Sequence, residues 1–109
     1  MKLTYAIKFV ADMDRAVAFH RDTLGLALRF ASPEWSEFDT GDTTLALHTG
    51  SPENPPGKVE LGFTTEDLQS LYAARDERGL TFTEAPKPLH GSLLARFIDS
   101  EGAGCSLSG

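Results

Sequence analysis

The chain has 109 residues, 40% of them hydrophobic, which suits one soluble globular domain with its own core. Sixteen acidic against ten basic residues give a net charge of −6, which disfavours nucleic acid and anionic membranes as partners. No leader-like or long apolar segment occurs, so we expect a cytoplasmic protein without a membrane span.

The first half of the chain predicts one strand, one helix and three further strands. Runs of β-branched and aromatic residues indicate strands over 3–10, 26–31, 35–40 and 43–49. Asp12 is a suitable cap for the helix, and Gly25 is a suitable stop. One face of this helix is expected to be buried, because it carries the apolar spacing Met13, Ala16, Val17, His20 and Leu24.

The second half predicts the same order after a proline-rich linker at 51–57. Strands are indicated over 59–64, 80–84, 93–99 and 105–108. Thr65 is the expected cap of the second helix, whose apolar stripe is Leu68, Leu71 and Tyr72. Residues 86–91 predict a proline-rich loop, in which His90 is either a solvated side chain or part of a cover over a site.

The two halves resemble each other in sequence. Residues 12–26 are echoed by 66–80, and at a fixed offset of 54 the identical pairs are Phe9/Phe63, Arg21/Arg75, Asp22/Asp76, Gly25/Gly79 and Leu26/Leu80. We therefore predict an α+β fold of two βαβββ modules, about 1–50 and about 58–109, within one domain. A duplicated unit usually places its site where the copies meet.

The motifs resemble those of the vicinal oxygen chelate superfamily, which includes glyoxalase I, bleomycin-resistance proteins and extradiol dioxygenases. They are the residues 10–20 with Leu-Gly-Leu at 24–26, then 38–41, 44–48 and 99–102. His20 stands where the family usually has Tyr, and Ser100 where a turn usually has Pro. The resemblance implies a cup-shaped mixed sheet with helices on its convex face, a ligand in the concave cup, and commonly a homodimer.

Metal-dependent members of that family bind a divalent ion through His, Glu or Gln at four positions. By motif these positions are Tyr5, Ala46, Glu60 and Ser106, and only Glu60 is an ordinary ligand of that class. Strand alternation places His48 on the same side as Ala46, so a displaced His48/Glu60 pair is the weak candidate for a metal. We therefore expect no metal, with nickel, zinc, cobalt or iron as the alternative.

The remaining side chains predict an aromatic, acidic site. If position 5 faces inward, one wall carries Tyr5, Ile7 and Phe9, while Trp35 and Glu37 share the inward side of another strand. The full set of candidate ligand-binding residues is Tyr5, Ile7, Phe9, Trp35, Glu37, His48, Glu60 and Ser106. Lys8 then falls on the helix side; the opposite assignment of faces would instead move the aromatic residues into the helix-facing core.

Two functions follow, and both stay open at this point. The first is a metal-free protein that binds a small aromatic or cationic compound, with ring faces attracting both. The second is a metal-dependent lyase, isomerase or dioxygenase of the glyoxalase I type, with Glu60 as the catalytic residue and His48 as a second ligand. A purely structural or regulatory module is a third interpretation.

Cys105, the only cysteine, lies in an apolar strand pattern that favours inert burial over nucleophilic use.

Overall fold

In the computed structural model, which describes all 109 residues, the chain divides into two compact units. The first unit is Thr4–Val59, and the second is Met1–Leu3 together with Glu60–Gly109. The elements up to the linker are strand β1 (Lys2–Val10), helix α1 (Met13–Ala18), a π-helical turn (Phe19–Thr23), and strands β2 (Ala27–Phe30), β3 (Trp35–Asp39) and β4 (Thr44–Thr49).

The elements after the linker follow the same order. They are strand β5 (Val59–Thr64), helices α2 (Leu68–Ala73) and α3 (Arg75–Arg78), and strands β6 (Thr81–Leu89), β7 (Ser92–Ile98) and β8 (Gly104–Ser108). None of the helices is long and apolar enough to cross a membrane.

Each unit has the same strand order. The first runs β2-β3-β4-β1 and the second β6-β7-β8-β5. In each, the first strand pairs in parallel with the last, and the remaining neighbours are antiparallel. The predicted α+β fold of two βαβββ modules is therefore confirmed.

Helices cover one face of the sheet in each unit. In the first, Val17 of α1 packs against Val10, Phe38 and Leu47. In the second, Leu68 and Leu71 of α2 pack against a cluster that contains Ala95, Phe97, Cys105 and Leu107. The helices of each unit do not cover the opposite face of its sheet, which we call the helix-free face.

The first helix begins as predicted and ends differently. Asp12 Oδ1 accepts a hydrogen bond from the Arg15 N–H at 3.1 Å. The ring of His20 then donates to the Ala16 carbonyl at 2.7 Å, a group that an α-helix would use for the backbone N–H of residue 20. The helix widens into the π-helical turn, and Leu24, predicted on the buried face, is 53% exposed because the extra residue rotates it away.

The cap of the second helix is Asp67, so the prediction of Thr65 was wrong. Thr65 N–H still donates to the Ser108 carbonyl at 2.9 Å, so Thr65 remains bound to β8 and the helix begins only after Asp67. Asp67 Oδ1 then accepts from the Ser70 N–H at 3.0 Å, and Oδ2 accepts from the Ser70 hydroxyl at 2.7 Å. Gly79, with φ of +70°, ends α3.

The caps show that the repeat has no constant offset. Asp12 and Asp67 are 55 residues apart, whereas the left-handed Gly25 and Gly79 are 54 apart. The π-helical turn absorbs the additional residue of the first helix. The Phe9/Phe63 identity is consequently not a structural equivalence, because Phe9 packs on the helix-free face and Phe63 packs against the helix-covered core.

The proline-rich segment after α3 is a strand, not the predicted loop. Strand β6 continues to Leu89 and pairs with β7, and its prolines are tolerated because β6 lies at the edge of the sheet. Only His90 and Gly91, with φ of 49° and 83°, form the turn to β7. His90 is exposed at the tip of this hairpin.

Candidate functional site

The helix-free face of the first unit carries the predicted aromatic residues. Ile7, Phe9 and Ala46 form a cluster with Tyr5 and Trp35 that is separate from the helix-covered core. On β3, Ser36 instead meets Met13 of α1 and Phe38 joins the core, so the predicted alternation is confirmed. The opposite assignment of faces, which Lys8 had raised, is therefore wrong.

Three of these residues form a floor beneath the others. Ile7 is 7% and Phe9 5% exposed, and Ala46 is fully buried. Tyr5, Trp35 and His48 are half-buried and present ring surface above this floor. A molecule on this face would therefore contact these three rings first and the buried side chains only beneath them.

Glu37 holds the polar edges of these rings. Its side chain is largely buried, Oε2 accepts a hydrogen bond from Trp35 Nε1 at 2.8 Å, and Oε1 accepts from Arg29 at 2.9 Å. Tyr5 also lies close enough to this carboxylate for its charge to act on the phenol. Burial, then the nearby Glu37 charge, raises the pKa of Tyr5, while Arg29 acts in the opposite direction.

A β-bulge brings Arg29 to this carboxylate. The register between β2 and β3 shifts between Leu28 and Phe30, so Arg29 is an extra residue opposite Glu37. Its guanidinium also donates to Thr44 Oγ1 at 3.1 Å. The negative charge of Glu37 is thus balanced within the first unit.

His48 completes the ring cluster. It lies directly opposite Phe9 on β1 and Trp35 on β3. Its ring centroid is 5.3 Å from that of Phe9, and 5.7 Å from that of Trp35 in an edge-on arrangement. Trp35 is also 6.1 Å from Tyr5, so the indole lies between two other rings.

Glu60 and Ser106 lie in the second unit, on its helix-free face. Glu60 is only 4% exposed, and both of its carboxylate oxygens accept hydrogen bonds from the guanidinium of Arg96, at 3.0 Å for Nη1 and Oε2. Ser106 is opposite Gly62 and Arg96 in the neighbouring strands. The bonds to Glu60 raise the pKa of Arg96 further, against the effect of its burial.

The donor set does not fit a divalent ion. The Glu60 lone pairs are directed at a guanidinium, which already supplies the cation that a buried carboxylate needs. Ala46 has no donor atom, and no group of three or more His, Cys, Asp and Glu side chains converges anywhere in the chain. No step of chemistry through a metal is derived from these residues.

Cys105 lies in the apolar core of the second unit. Burial raises the pKa of its thiol, with a smaller contribution from Asp99 and Glu60. A thiol that resists ionisation is a poor nucleophile, in line with the predicted inert role.

The sequence interpretation missed Arg29 and Arg96. Both are single charged residues within otherwise apolar strand segments, 27–30 and 93–98. Each pairs with a nearly buried glutamate. A charged residue alone in an apolar strand segment is the signal that could have indicated an ion pair. Here an arginine in one such segment has a glutamate in another as its partner.

Known structures share the fold of this chain. Methylmalonyl-CoA epimerase from Mycobacterium tuberculosis is 18% identical with a TM-score of 0.77, over 97% of this chain and 85% of its own. A hypothetical protein from Bacillus halodurans C-125 is 16% identical with a TM-score of 0.77, over 98% and 92%. A superfamily member from Vibrio splendidus 12B01 is 13% identical with a TM-score of 0.74, over 98% and 97%.

At these identities the solved structures establish the fold alone. No curated protein matches the chain significantly. The model of one family matches residues 2–103, which is nearly the whole chain. The chain therefore belongs to the Glyoxalase/Bleomycin resistance protein/Dioxygenase superfamily.

Proposed function

We propose that this protein binds a small aromatic compound without a metal, on the helix-free face of its first unit. The observation that carries the proposal is the half-buried indole of Trp35, held between Tyr5 and His48 with its N–H fixed on Glu37. A ring already held in place loses little conformational freedom when a flat ligand stacks on it. Aromatic pairs add about 0.5–1.5 kcal/mol to the area that they bury.

Charge pairing favours an aromatic ligand over a cationic one. Glu37 is balanced by Arg29, and Glu60 by Arg96, so neither carboxylate has an unpaired charge for a ligand cation. We expect benzyltrimethylammonium and its neutral isostere neopentylbenzene to bind with similar affinity. A cation that binds more than tenfold tighter than the isostere would restore the cationic alternative.

Trp35 is the only tryptophan, so its fluorescence reports on the site directly. We expect saturable quenching by flat aromatic compounds and none by cyclohexane derivatives of equal size. Trp35→Ala should weaken binding, measured by calorimetry, at least tenfold. Phe19→Ala, which removes a half-exposed ring from the π-helical turn, is the matched control and should bind normally. A flat fluorescence response across a broad aromatic panel would reject the proposal.

The metal-dependent alternative needs Glu60 and His48 as metal ligands. The hydrogen bond from Arg96 to Glu60 does not favour it. Methylmalonyl-CoA, the substrate named for one structural relative, and glutathione hemithioacetals are the compounds to assay. Turnover that disappears with a chelator and in Glu60→Gln would make this alternative the better one.

A homodimer is part of the proposal, on the strength of the family resemblance. Sedimentation equilibrium should give twice the chain mass of 11.8 kDa. The mass of a single chain at micromolar concentration would contradict it.

A further inference from the structure

Among the aromatic residues on the helix-free face of the first unit, His48 carries the ring nitrogen that is available to a ligand. Its Nδ1 lies 2.7 Å from the carbonyl oxygen of Thr49. A carbonyl oxygen can only accept a hydrogen bond, so Nδ1 must carry the hydrogen. In the neutral ring, Nε2 is then an unprotonated acceptor.

No side chain or backbone group of the protein donates to this nitrogen. The only hydrogen bond of the His48 side chain is the one from Nδ1 to the Thr49 carbonyl. The ring is half-buried, and its two ring neighbours, Phe9 and Trp35, offer no donor to it, since Trp35 Nε1–H is directed at Glu37. An acceptor in a partly apolar setting gains from a donor that reaches it.

The carboxylate on this face already has two donors. Glu37 Oε2 accepts from Trp35, and Oε1 accepts from Arg29. A ligand that stacks on Trp35 therefore finds an unfilled acceptor beside the ring in His48 Nε2.

We propose that the ligand of this site is an aromatic ring bearing a hydrogen-bond donor, such as a phenol or an aromatic N–H, and that His48 Nε2 accepts this hydrogen. The inference rests on the proposed function and names the ligand class of the same site. His48 thereby determines specificity, while the stacking rings supply most of the contact area.

The test compares 2-naphthol with 2-methoxynaphthalene, which has the same rings and no donor. By calorimetry we expect 2-naphthol to bind about twofold to tenfold tighter to the wild-type protein, the ratio that one net hydrogen bond supplies. His48→Phe keeps an aromatic ring in place and should abolish the preference. His90→Asn removes a histidine at the β6–β7 turn of the second unit, where Asn tolerates the positive φ, and should keep the preference.

The outcomes separate the two proposals. Equal binding of both compounds to the wild-type protein overturns the role of His48 and leaves aromatic binding intact. A preference that survives in His48→Phe also overturns that role. Binding of neither compound overturns both proposals.

A second measurement does not depend on a ligand. Histidine ¹⁵N spectra of the free protein distinguish the two neutral tautomers. We expect His48 to carry its hydrogen on Nδ1, and a hydrogen on Nε2 would overturn the inference even if the calorimetric preference were found.

Discussion

The helix-free faces of the two units differ in chemistry although the strand order beneath them is the same. The first carries the large rings Tyr5, Phe9 and Trp35, whereas the second has Glu60, Thr64 and Leu94 at the corresponding strand positions. Each face nevertheless holds one pair of an arginine with a nearly buried glutamate. The comparison teaches that a duplicated backbone leaves the side chains of the open face free to diverge, while the helix-covered face must keep an apolar core in both copies.

The two ion pairs are also built differently. Arg29 reaches Glu37 from the adjacent strand through a bulge and remains 42% exposed, and this carboxylate has additional donors. Arg96 is the only side chain that pairs with Glu60, through both carboxylate oxygens. Loss of the arginine should therefore cost more in the second unit than in the first.

The largest expected effect comes from Arg96→Ala. It leaves the Glu60 carboxylate buried without a partner, and we expect the free energy of unfolding to fall by about 2–4 kcal/mol, less than for a fully buried pair because Arg96 is one-third exposed. Urea unfolding at neutral pH measures this. Arg21→Ala, which breaks the exposed pair with Asp22, should leave the midpoint nearly unchanged.

The double variant Glu60→Leu with Arg96→Leu sharpens this test. It removes both charges and should recover most of the lost stability, because the cost lies in the unpaired carboxylate. A double variant as unstable as Arg96→Ala would show that the pair stabilises the fold through something other than charge balance.

A smaller effect is expected from Glu37→Ala in the first unit. Trp35 Nε1–H loses its acceptor, but this side chain is only half-buried and can turn to water. We expect a loss of about 1–3 kcal/mol and stronger acrylamide quenching of Trp35 fluorescence. The control is Asp39→Ala, which removes an exposed carboxylate 3.9 Å from the Arg29 guanidinium. It should leave the quenching of Trp35 fluorescence unchanged.

The smallest effect concerns the pH dependence of stability. The pKa of Tyr5 is raised in the folded protein, so folding favours the neutral phenol. The stability that this supplies is fully present below the ordinary tyrosine pKa of about 10, and it is lost as the pH rises through the higher folded value. Tyr5→Phe should therefore show a shallower loss of stability above pH 10 than the wild type. If Tyr5→Phe and the wild type lose stability equally above pH 10, the hydroxyl of Tyr5 is not protected by Glu37 and burial.

The sequence predicted the fold in nearly all respects because its signals are local. Strand alternation on β1 and β3 correctly separated Tyr5, Ile7 and Phe9 from the helix-facing side chains. The error in the second cap has a cause that is distant along the chain. Thr65 and Asp67 are equally suitable caps by residue type, and the hydrogen bond of Thr65 to Ser108, 43 residues later, decided between them.

Two other features of the fold were less predictable. The prolines of 86–89 indicate a loop unless the strand is known to be an edge, and edge position is a property of the assembled sheet. The offset between the two repeats also changes within the first helix, at the π-helical turn. A constant offset therefore made Phe9 and Phe63 look equivalent, although Phe9 lies on the helix-free face and Phe63 on the helix-covered face.

The sequence by itself determined two βαβββ modules, the helix-covered cores and the side of the first sheet on which the aromatic residues lie, since residue type and spacing along the chain suffice for these. Only the tertiary structure decided the partners of the buried charges and left His48 Nε2 without a donor. Arg29 and Glu37 are 8 residues apart and Arg96 and Glu60 are 36 apart, so strand pairing had to bring each pair together. Which polar atoms remain free for a ligand follows from that pairing, because a carboxylate that already binds a guanidinium is no longer an open site.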